Sequence, residues 1–311
     1  MAGDPLWYYK VLGLHCDGTN GSTTITDVKG HTATLNGGVQ ISTAQYPALT
    51  GKTSSLYFDG TGDYVTFANS SDWEFGSGDF TVRLWCRPSS ASWDYLIHRG
   101  AATSWTAWSL AWDGTTSKFY TDGTIDGSSA AWVFFSASTY SLNTWHLVEL
   151  VRSGTGIYLL VDGVLEGSAG GVSGALMSES GTLKIGADTG NSYQYTGYMS
   201  EIEMYKGAAS HTSSYTASSD PTPDEYVYVS GTTKDASNAF VSRLVRVYRR
   251  DTGALVSSAL SNGTTGIYKI TAADSGTTTP IKHLAVCFDA TADPPGAPTE
   301  NALIYDNITP A

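Results

Sequence analysis

The chain has 311 residues, with 17 basic and 29 acidic side chains and a net charge of −12. Charged residues make up only 15%, while aromatics reach 12%, with 9 Trp and 19 Tyr, and glycines number 34. An aromatic content this high excludes a disordered chain, the absence of a basic cluster in an acidic chain argues against nucleic acid as a partner, and no apolar run approaches the roughly 20 residues needed to insert in a bilayer.

The first ten residues, Met1 to Lys10, hold no basic stretch followed by an apolar one, so synthesis and folding in a cytosol are expected. Cys16, Cys86 and Cys287 are odd in number and far apart, which predicts buried free thiols rather than a disulfide framework. Apolar residues at helical spacing are almost absent, and strand signals follow one another along the chain. Phe80 to Cys86 is a β-branched and aromatic run that begins after the turn Gly76-Ser-Gly-Asp79. Trp145 to Arg152 is a second, closed by Ser153-Gly-Thr-Gly156. Ile157 to Val161 follows, ending in the turn Asp162-Gly163, so these runs read as a β-meander. Residues 1–206 are therefore expected to form a first domain. Residues 207–225 carry Ala, Ser, Thr, Pro221 and Pro223 without apolar periodicity, and read as a linker or as a final coil lying over that domain. Short strand runs resume at Tyr226–Val229 and continue at 241–249, 255–260, 267–271, 283–288 and 302–308. They predict a smaller second β-sandwich over residues 226–311. The fold class expected is all-β.

Ordered segments of the first domain carry a family resemblance. Leu14-His-Cys-Asp-Gly18 comes first, then Ser55-Leu-Tyr-Phe-Asp-Gly60 with Asp63-Tyr-Val65, then Gly78-Asp-Phe-Thr81 with Trp85. Trp145-His146, Val151-Arg152, Tyr158, Val161-Asp-Gly163, Leu183-Lys-Ile-Gly186 and Gly197-Tyr198 complete the set. In this order and spacing they resemble a laminin-G-type domain of the concanavalin A-like jelly-roll group. The resemblance implies two antiparallel sheets packed face to face. Ser230-Gly-Thr232, Val245-Arg-Val-Tyr248, Thr252-Gly253 and Thr265-Gly-Ile-Tyr268 resemble carboxypeptidase-regulatory-like or transthyretin-like, Ig-like sandwiches. The pair of domains resembles structural proteins of tailed bacteriophages. That implies a virion-surface protein made in the host cytoplasm, present in multiple symmetric copies and partnered by other virion proteins.

Motifs for chemistry are sparse. Gly51-Lys-Thr53 lacks the upstream glycine of a phosphate loop, because Tyr46 stands there, and Lys52 is expected to be a turn lysine. Asp122-x-Thr124-x-Asp126-Gly127 has Val133 where a calcium loop would place Glu, which leaves a hairpin turn. His146 is expected to be a satisfied structural histidine. The glycosidases of this jelly-roll group set paired carboxylates along one strand face. Only Glu201-Ile-Glu203 offers a close alternate pair here, and it lacks a third acid, so no enzymatic activity is expected. Laminin-G-type domains often hold calcium through Asp side chains and carbonyls. The candidates are Asp17, Asp27 and Asp59, which otherwise serve as turn and cap residues.

Carbohydrate is the commonest ligand of this group, bound by aromatic faces and hydrogen-bonding side chains. Trp93, Tyr95, Trp105, Trp108, Tyr193 and Tyr195 are the candidates; otherwise they pack sheet rims or an interface with a neighbouring virion protein. Arg243, Arg246, Arg249 and Arg250 form a local basic run in the second domain, read as a solvated face or a docking point for an acidic partner. The function expected is that of a non-enzymatic structural protein of a tailed-phage virion, on tail or head. The alternative is a carbohydrate-binding adhesin module that contacts the surface polysaccharide of the host.

Overall fold

The computed structural model describes residue 4, residues 6–100 and residues 106–218. Beyond them it describes Ala239, Thr264 and the backbone of six strands. The chain divides into two units, one of Tyr9–Pro221 and one of Met1–Tyr8 with Thr222–Ala311.

A 3-10 turn, Trp7–Tyr9, leads into β1 (Lys10–Leu14) of the larger unit, followed by β2 (Ala33–Asn36), β3 (Gln40–Ser42), β4 (Ser55–Asp59) and β5 (Tyr64–Phe67). Next come β6 (Phe80–Pro88), β7 (Trp93–Arg99), β8 (Trp108–Asp113), β9 (Lys118–Gly123) and β10 (Trp132–Phe135). The last are β11 (His146–Ser153), β12 (Gly156–Val161), β13 (Val164–Ala169), β14 (Leu183–Ile185) and β15 (Thr196–Lys206). The runs expected from sequence at 80–86, 145–152 and 157–161 are β6, β11 and β12, each shifted by at most two residues at an end.

The strands form two antiparallel sheets. One has eight strands, ordered β13-β12-β11-β6-β15-β4-β3, with β1 also paired to β15. The other has seven, ordered β10-β9-β8-β7-β14-β5-β2. One side of each strand faces a single shared core, because side chains alternate along a strand. Leu56, Phe58, Val82, Leu84, Val148, Leu150, Met199 and Met204 come from the first sheet, and Val65, Phe67, Leu96, Leu110, Trp112 and Phe119 from the second. This is the jelly-roll sandwich that the sequence predicts. Phe75 stacks between Phe80 and Trp108, with centroids 4.3 and 5.2 Å away, and so ties the two sheets. Gly123 lies against the Trp132 indole where any Cβ would collide, which explains a glycine at the end of β9. Cys16 and Cys86 are buried free thiols, and burial pushes the Cys16 thiol up to about 12. Cys287 lies in a strand whose side chains are outside the described residues.

Four register shifts interrupt the pairing in the larger unit, two of them in β15 and β7. Between Ser200 and Glu203, β15 has two residues facing one residue of β6. Glu201 occupies this bulge with φ +48°, a left-handed conformation that a bulge sustains. In β7 the register shifts between Tyr95 and Ile97, so Tyr95 and His98 emerge on the same face.

Residues 207–217 run over the outer face of the eight-stranded sheet. The Thr81 hydroxyl donates to the Ala208 carbonyl at 3.1 Å, and the Tyr215 hydroxyl donates to Glu149 Oε2 at 2.8 Å. The His211 ring stacks on Tyr215 with centroids 3.5 Å apart.

In the smaller unit the described strands are β16 (Tyr228–Thr232), β17 (Arg243–Arg249), β18 (Leu255–Leu260), β19 (Ile267–Thr271), β20 (His283–Asp289) and β21 (Leu303–Ile308). β16 pairs with β19, and β18-β17-β20-β21 form a four-stranded antiparallel sheet. The side chains of Arg243, Arg246, Arg249 and Arg250 are outside the described residues.

Candidate functional site

Strand register lays out the outer face of the seven-stranded sheet in rows. In one row Phe135 pairs with Tyr120, Tyr120 with Ala111, and Ala111 with Tyr95. In the next row Val133 pairs with Asp122, Asp122 with Ser109, Ser109 with His98, and His98 with Lys184. The first row is aromatic except for the small Ala111, and the second is largely polar.

Trp93, at the start of β7, leans over the aromatic row. Its ring meets Tyr120 edge to face at 4.8 Å, Phe135 at 6.1 Å and Tyr95 at 6.4 Å. Tyr193 extends the strip past Tyr95, with centroids 6.1 Å apart. Tilted and edge-to-face pairs of this kind favour each other through the ring quadrupoles and keep ring faces turned outward. Tyr193 is 50% exposed and Phe135 40%, which is unusual for such large rings. Tyr193 projects because Asp188 caps its loop, accepting the Ser192 N–H at 2.5 Å.

The polar row is buried at its base. Asp122 Oδ1 accepts the Ser109 hydroxyl, and burial raises its carboxyl above the ordinary range, opposed by the hydrogen bonds from Ser109 and Tyr120. Burial likewise raises the phenols of Tyr95 and Tyr120, with the Asp122 charge adding to it, so both remain hydroxyl donors at every physiological pH. His98 is lowered to about 4 by burial and is therefore neutral at pH 7. Its Nε2 lies 3.1 Å from Thr106 Oγ1 and its Nδ1 3.2 Å from Thr189 Oγ1. Lys184 donates to the Thr189 carbonyl at 2.7 Å and to Asn191 Oδ1, and sits 4.9 Å above the Tyr64 ring. The strip thus presents aromatic faces and phenolic hydroxyls over a buried carboxyl, and the lysines beside it, Lys184 and Lys118, each donate to a backbone carbonyl.

Of the six sequence candidates, Trp93, Tyr95 and Tyr193 come together here. Trp108 does not: it is 1% exposed and stacked on Phe75 in the core. Nor does Tyr195, which is fully buried against Phe58 and donates its hydroxyl to the Tyr198 carbonyl. Neither ring has a face for a ligand. Trp105 lies outside the described residues. Tyr120, Asp122, Ser109 and Phe135 were missed. Tyr120 and Asp122 alternate along one strand, and that period of two was the available signal.

The three Asp candidates are occupied separately. Asp17 Oδ1 pairs with Lys52 Nζ at 2.7 Å. Asp27 accepts the Gly13 N–H at 2.8 Å and pairs with His31 Nδ1 at 2.7 Å. Asp59 Oδ1 caps the Thr61 N–H at 2.7 Å. Among the described residues no three His, Cys, Asp or Glu side chains gather as metal ligands would.

Lys52 closes the expected turn, its N–H donating to the Leu49 carbonyl at 3.1 Å. It is buried, and its ammonium pairs with Glu201 Oε1 at 2.7 Å as well as with Asp17. Glu201 Oε2 meets His15 Nδ1 at 2.8 Å. Glu203 belongs to a different network, with Lys10 Nζ at 2.9 Å and Arg83 Nε at 2.5 Å. Burial pushes its carboxyl up, but Arg83 and Lys10 outweigh this and hold it at about 2. His146 is a satisfied structural histidine, its Nδ1 2.8 Å from Asp162 Oδ2.

Residues 59–213 match the family model of the concanavalin A-like lectin/glucanases superfamily, of laminin-G type. No curated protein sequence matches the chain. Among solved structures, the binding domain of Paraclostridial mosquitocidal protein 1 is similar at 11% identity and a TM-score of 0.50, over 97% of this chain and 76% of that one. The binding domain of botulinum neurotoxin serotype G aligns at 11% identity and a TM-score of 0.48, over 94% and 70%. Domain 4 of an extracellular arabinanase from Geobacillus stearothermophilus, solved with arabinotriose, aligns at 13% identity and a TM-score of 0.45, over 64% and 94%. At such identities the likeness is one of fold. The larger unit has the two-sheet fold of a concanavalin A-like jelly roll.

Proposed function

We propose that this laminin-G-type jelly roll is a non-catalytic saccharide-binding module, and that its outer seven-stranded face is the binding surface. The observation that carries the reading is the strip Phe135–Tyr120–Trp93–Tyr95–Tyr193 with its phenolic hydroxyls. Pyranose rings offer apolar C–H faces rimmed by hydroxyls. They stack on aromatic rings while polar neighbours fix their orientation. Engagement of Lys184 within its own loop, and of Lys118 by the Ala137 carbonyl, favours neutral over anionic sugars.

Two features support a role without catalysis. A glycosidase needs one carboxyl held protonated near neutral pH to act as acid. The Glu201–Glu203 pair does not supply this: Glu203 is held strongly ionised and Glu201 is ion-paired to Lys52 and His15 in a separate network, while the raised carboxyls of Asp94 and Asp122 lie on other strands.

The resemblance to tailed-phage structural proteins supports a setting for this module on a virion surface, in multiple copies and in reach of host polysaccharide. Repetition would then raise weak single-site binding into avidity. In that setting the second unit, in its transthyretin-like reading, acts as the docking domain toward other virion proteins. The exposed Phe135 and Val133 favour a second reading, in which the same face docks a neighbouring virion protein.

A panel of immobilised neutral and anionic polysaccharides, probed with wild-type protein and with Trp93→Ala and Tyr95→Ala, separates these readings. Retention on a neutral polysaccharide that both substitutions abolish supports the module. Flat binding across the whole panel, with none altered by substitution, overturns it in favour of protein docking.

A further inference from the structure

The opposite face of the sandwich carries a second row with recognition chemistry. On the outer side of the eight-stranded sheet, Gln40 pairs with Tyr57, Tyr57 with Tyr198, and Tyr198 with Arg87. Trp145, the residue before β11, continues the row, since His146 next to it pairs with Cys86. The Tyr57 and Tyr198 rings are 4.9 Å apart, Trp145 and Tyr198 6.5 Å, and the Arg87 guanidinium carbon sits 5.8 Å above the Tyr198 ring. All four side chains are half-buried, so each keeps an open edge or face. Residues 207–217 cover the part of this face around Thr81, Glu149 and Gly163. Tyr57, Tyr198 and Arg87 lie beyond that cover.

Arg87 differs from its neighbour on the same strand face. Arg83 is spent on two carboxylates, with Glu203 at 2.5 Å and Glu149 at 3.8 Å. Among the described residues Arg87 has no carboxylate partner, although acidic side chains outnumber basic ones by 29 to 17. Its one hydrogen bond runs from Nη1 to the side-chain oxygen of Asn143, at 3.1 Å. A guanidinium carries five donors in a planar fork suited to a carboxylate. The Arg87 guanidinium carbon lies 5.8 Å from the Tyr198 ring centroid, a cation–π contact that leaves the N–H donors of the fork available.

We propose that the row Gln40–Tyr57–Tyr198–Arg87–Trp145 is a second saccharide-binding surface that takes an acidic sugar chain, with Arg87 bound to a sugar carboxylate and the rings stacked along Tyr57, Tyr198 and Trp145. The row crosses five strand positions at about 4.8 Å each, so it is long enough for a short oligosaccharide rather than a single terminal sugar. Gln40 and Asn143 supply amide groups at its ends, suited to ring hydroxyls. The surface lies on the other sheet from the strip of Trp93 and Tyr95, and the proposal stands independently of that strip.

The test is calorimetric titration of the full chain with polygalacturonate, with its methyl-esterified form and with dextran. Wild-type protein is expected to bind the acid form most tightly, and more weakly as sodium chloride rises. Arg87→Gln should weaken that binding at least about tenfold, since a charge-assisted hydrogen bond is lost, with Arg87→Lys intermediate and Tyr57→Ala also weakened. Unaltered thermal midpoints show that these outer-face variants fold. Equal affinity for acid and ester, an Arg87→Gln variant that binds like wild type, or no polygalacturonate binding at all would overturn the proposal. So would a shift in sedimentation on Arg87→Gln without a change in polysaccharide affinity, which would make the row a contact between copies of the chain.

Discussion

The Trp93 indole meets the Tyr120 ring edge to face at 4.8 Å, bridging β7 and β9 across the intervening β8. That bridge is possible because β8 presents Ala111 between Tyr95 and Tyr120. A larger residue at 111 would fill the space and tilt Trp93 away. Ala111→Leu is accordingly expected to reduce saccharide binding several-fold while leaving the fold intact, as checked by calorimetry beside a thermal melt.

Core and strip aromatics should separate by energetics. Trp108 is buried and stacked on Phe75, so Trp108→Ala should cost about 3–5 kcal/mol in urea unfolding. Trp93 lies on the outer face, and Trp93→Ala should cost only about 1 kcal/mol. Similar costs at the two positions would mean that Trp93 is a structural residue.

The acid limb of stability should report Glu203. Its folded carboxyl is held at about 2, below the ordinary 4.5, because Arg83 and Lys10 overcome the burial that would raise it. Stability from this group is complete above pH 4.5 and is lost as pH falls toward 2. Urea midpoints measured from pH 6 to pH 2 should fall steeply for wild type. Glu203→Gln should start lower and fall less.

Asp94 acts with the opposite sign. Burial raises its carboxyl from 3.8 to about 7, against hydrogen bonds from the Thr196 N–H and the Ser90 hydroxyl. Between pH 4 and 7 the folded state holds a proton that the unfolded chain releases, so this contribution weakens as pH rises through that window. Asp94→Asn should therefore melt a few degrees above wild type at pH 8, with the difference shrinking toward pH 4. A difference that grows at low pH would contradict the assignment.

Tyr215 fastens the 207–217 segment to the sheet through Glu149, whose side chain is nearly inaccessible. Removing the hydroxyl leaves a buried carboxylate oxygen short of a donor. Tyr215→Phe should thus cost about 1–3 kcal/mol in urea unfolding.

The strands were legible because their β-branched and aromatic runs end at glycine turns, as at Gly76 before β6 and at Gly154 and Gly163 around β12. Three of the strip's five rings were legible for the same reason: Trp93, Tyr95 and Tyr193 flank turns. Tyr195 was not distinguishable from Tyr193, two residues earlier. The left-handed Asn191 and the loop capped by Asp188 expose one ring and bury the other. Phe135 reads as core in a Trp-Val-Phe-Phe run and is exposed only because β10 is an edge strand. Lys52 and Glu201 meet through a bulge, which inserts one residue out of phase and leaves no periodic trace.

Saccharide binding by the strip around Trp93 has a direct optical readout, since the indole lies in the strip. Its most direct measurement is a tryptophan-fluorescence titration of the full chain with neutral oligosaccharides of increasing length, repeated on Trp93→Phe. A saturable change that strengthens with chain length and is lost in the variant is expected. A saturable change that persists in Trp93→Phe, or none with any neutral oligosaccharide, would contradict it.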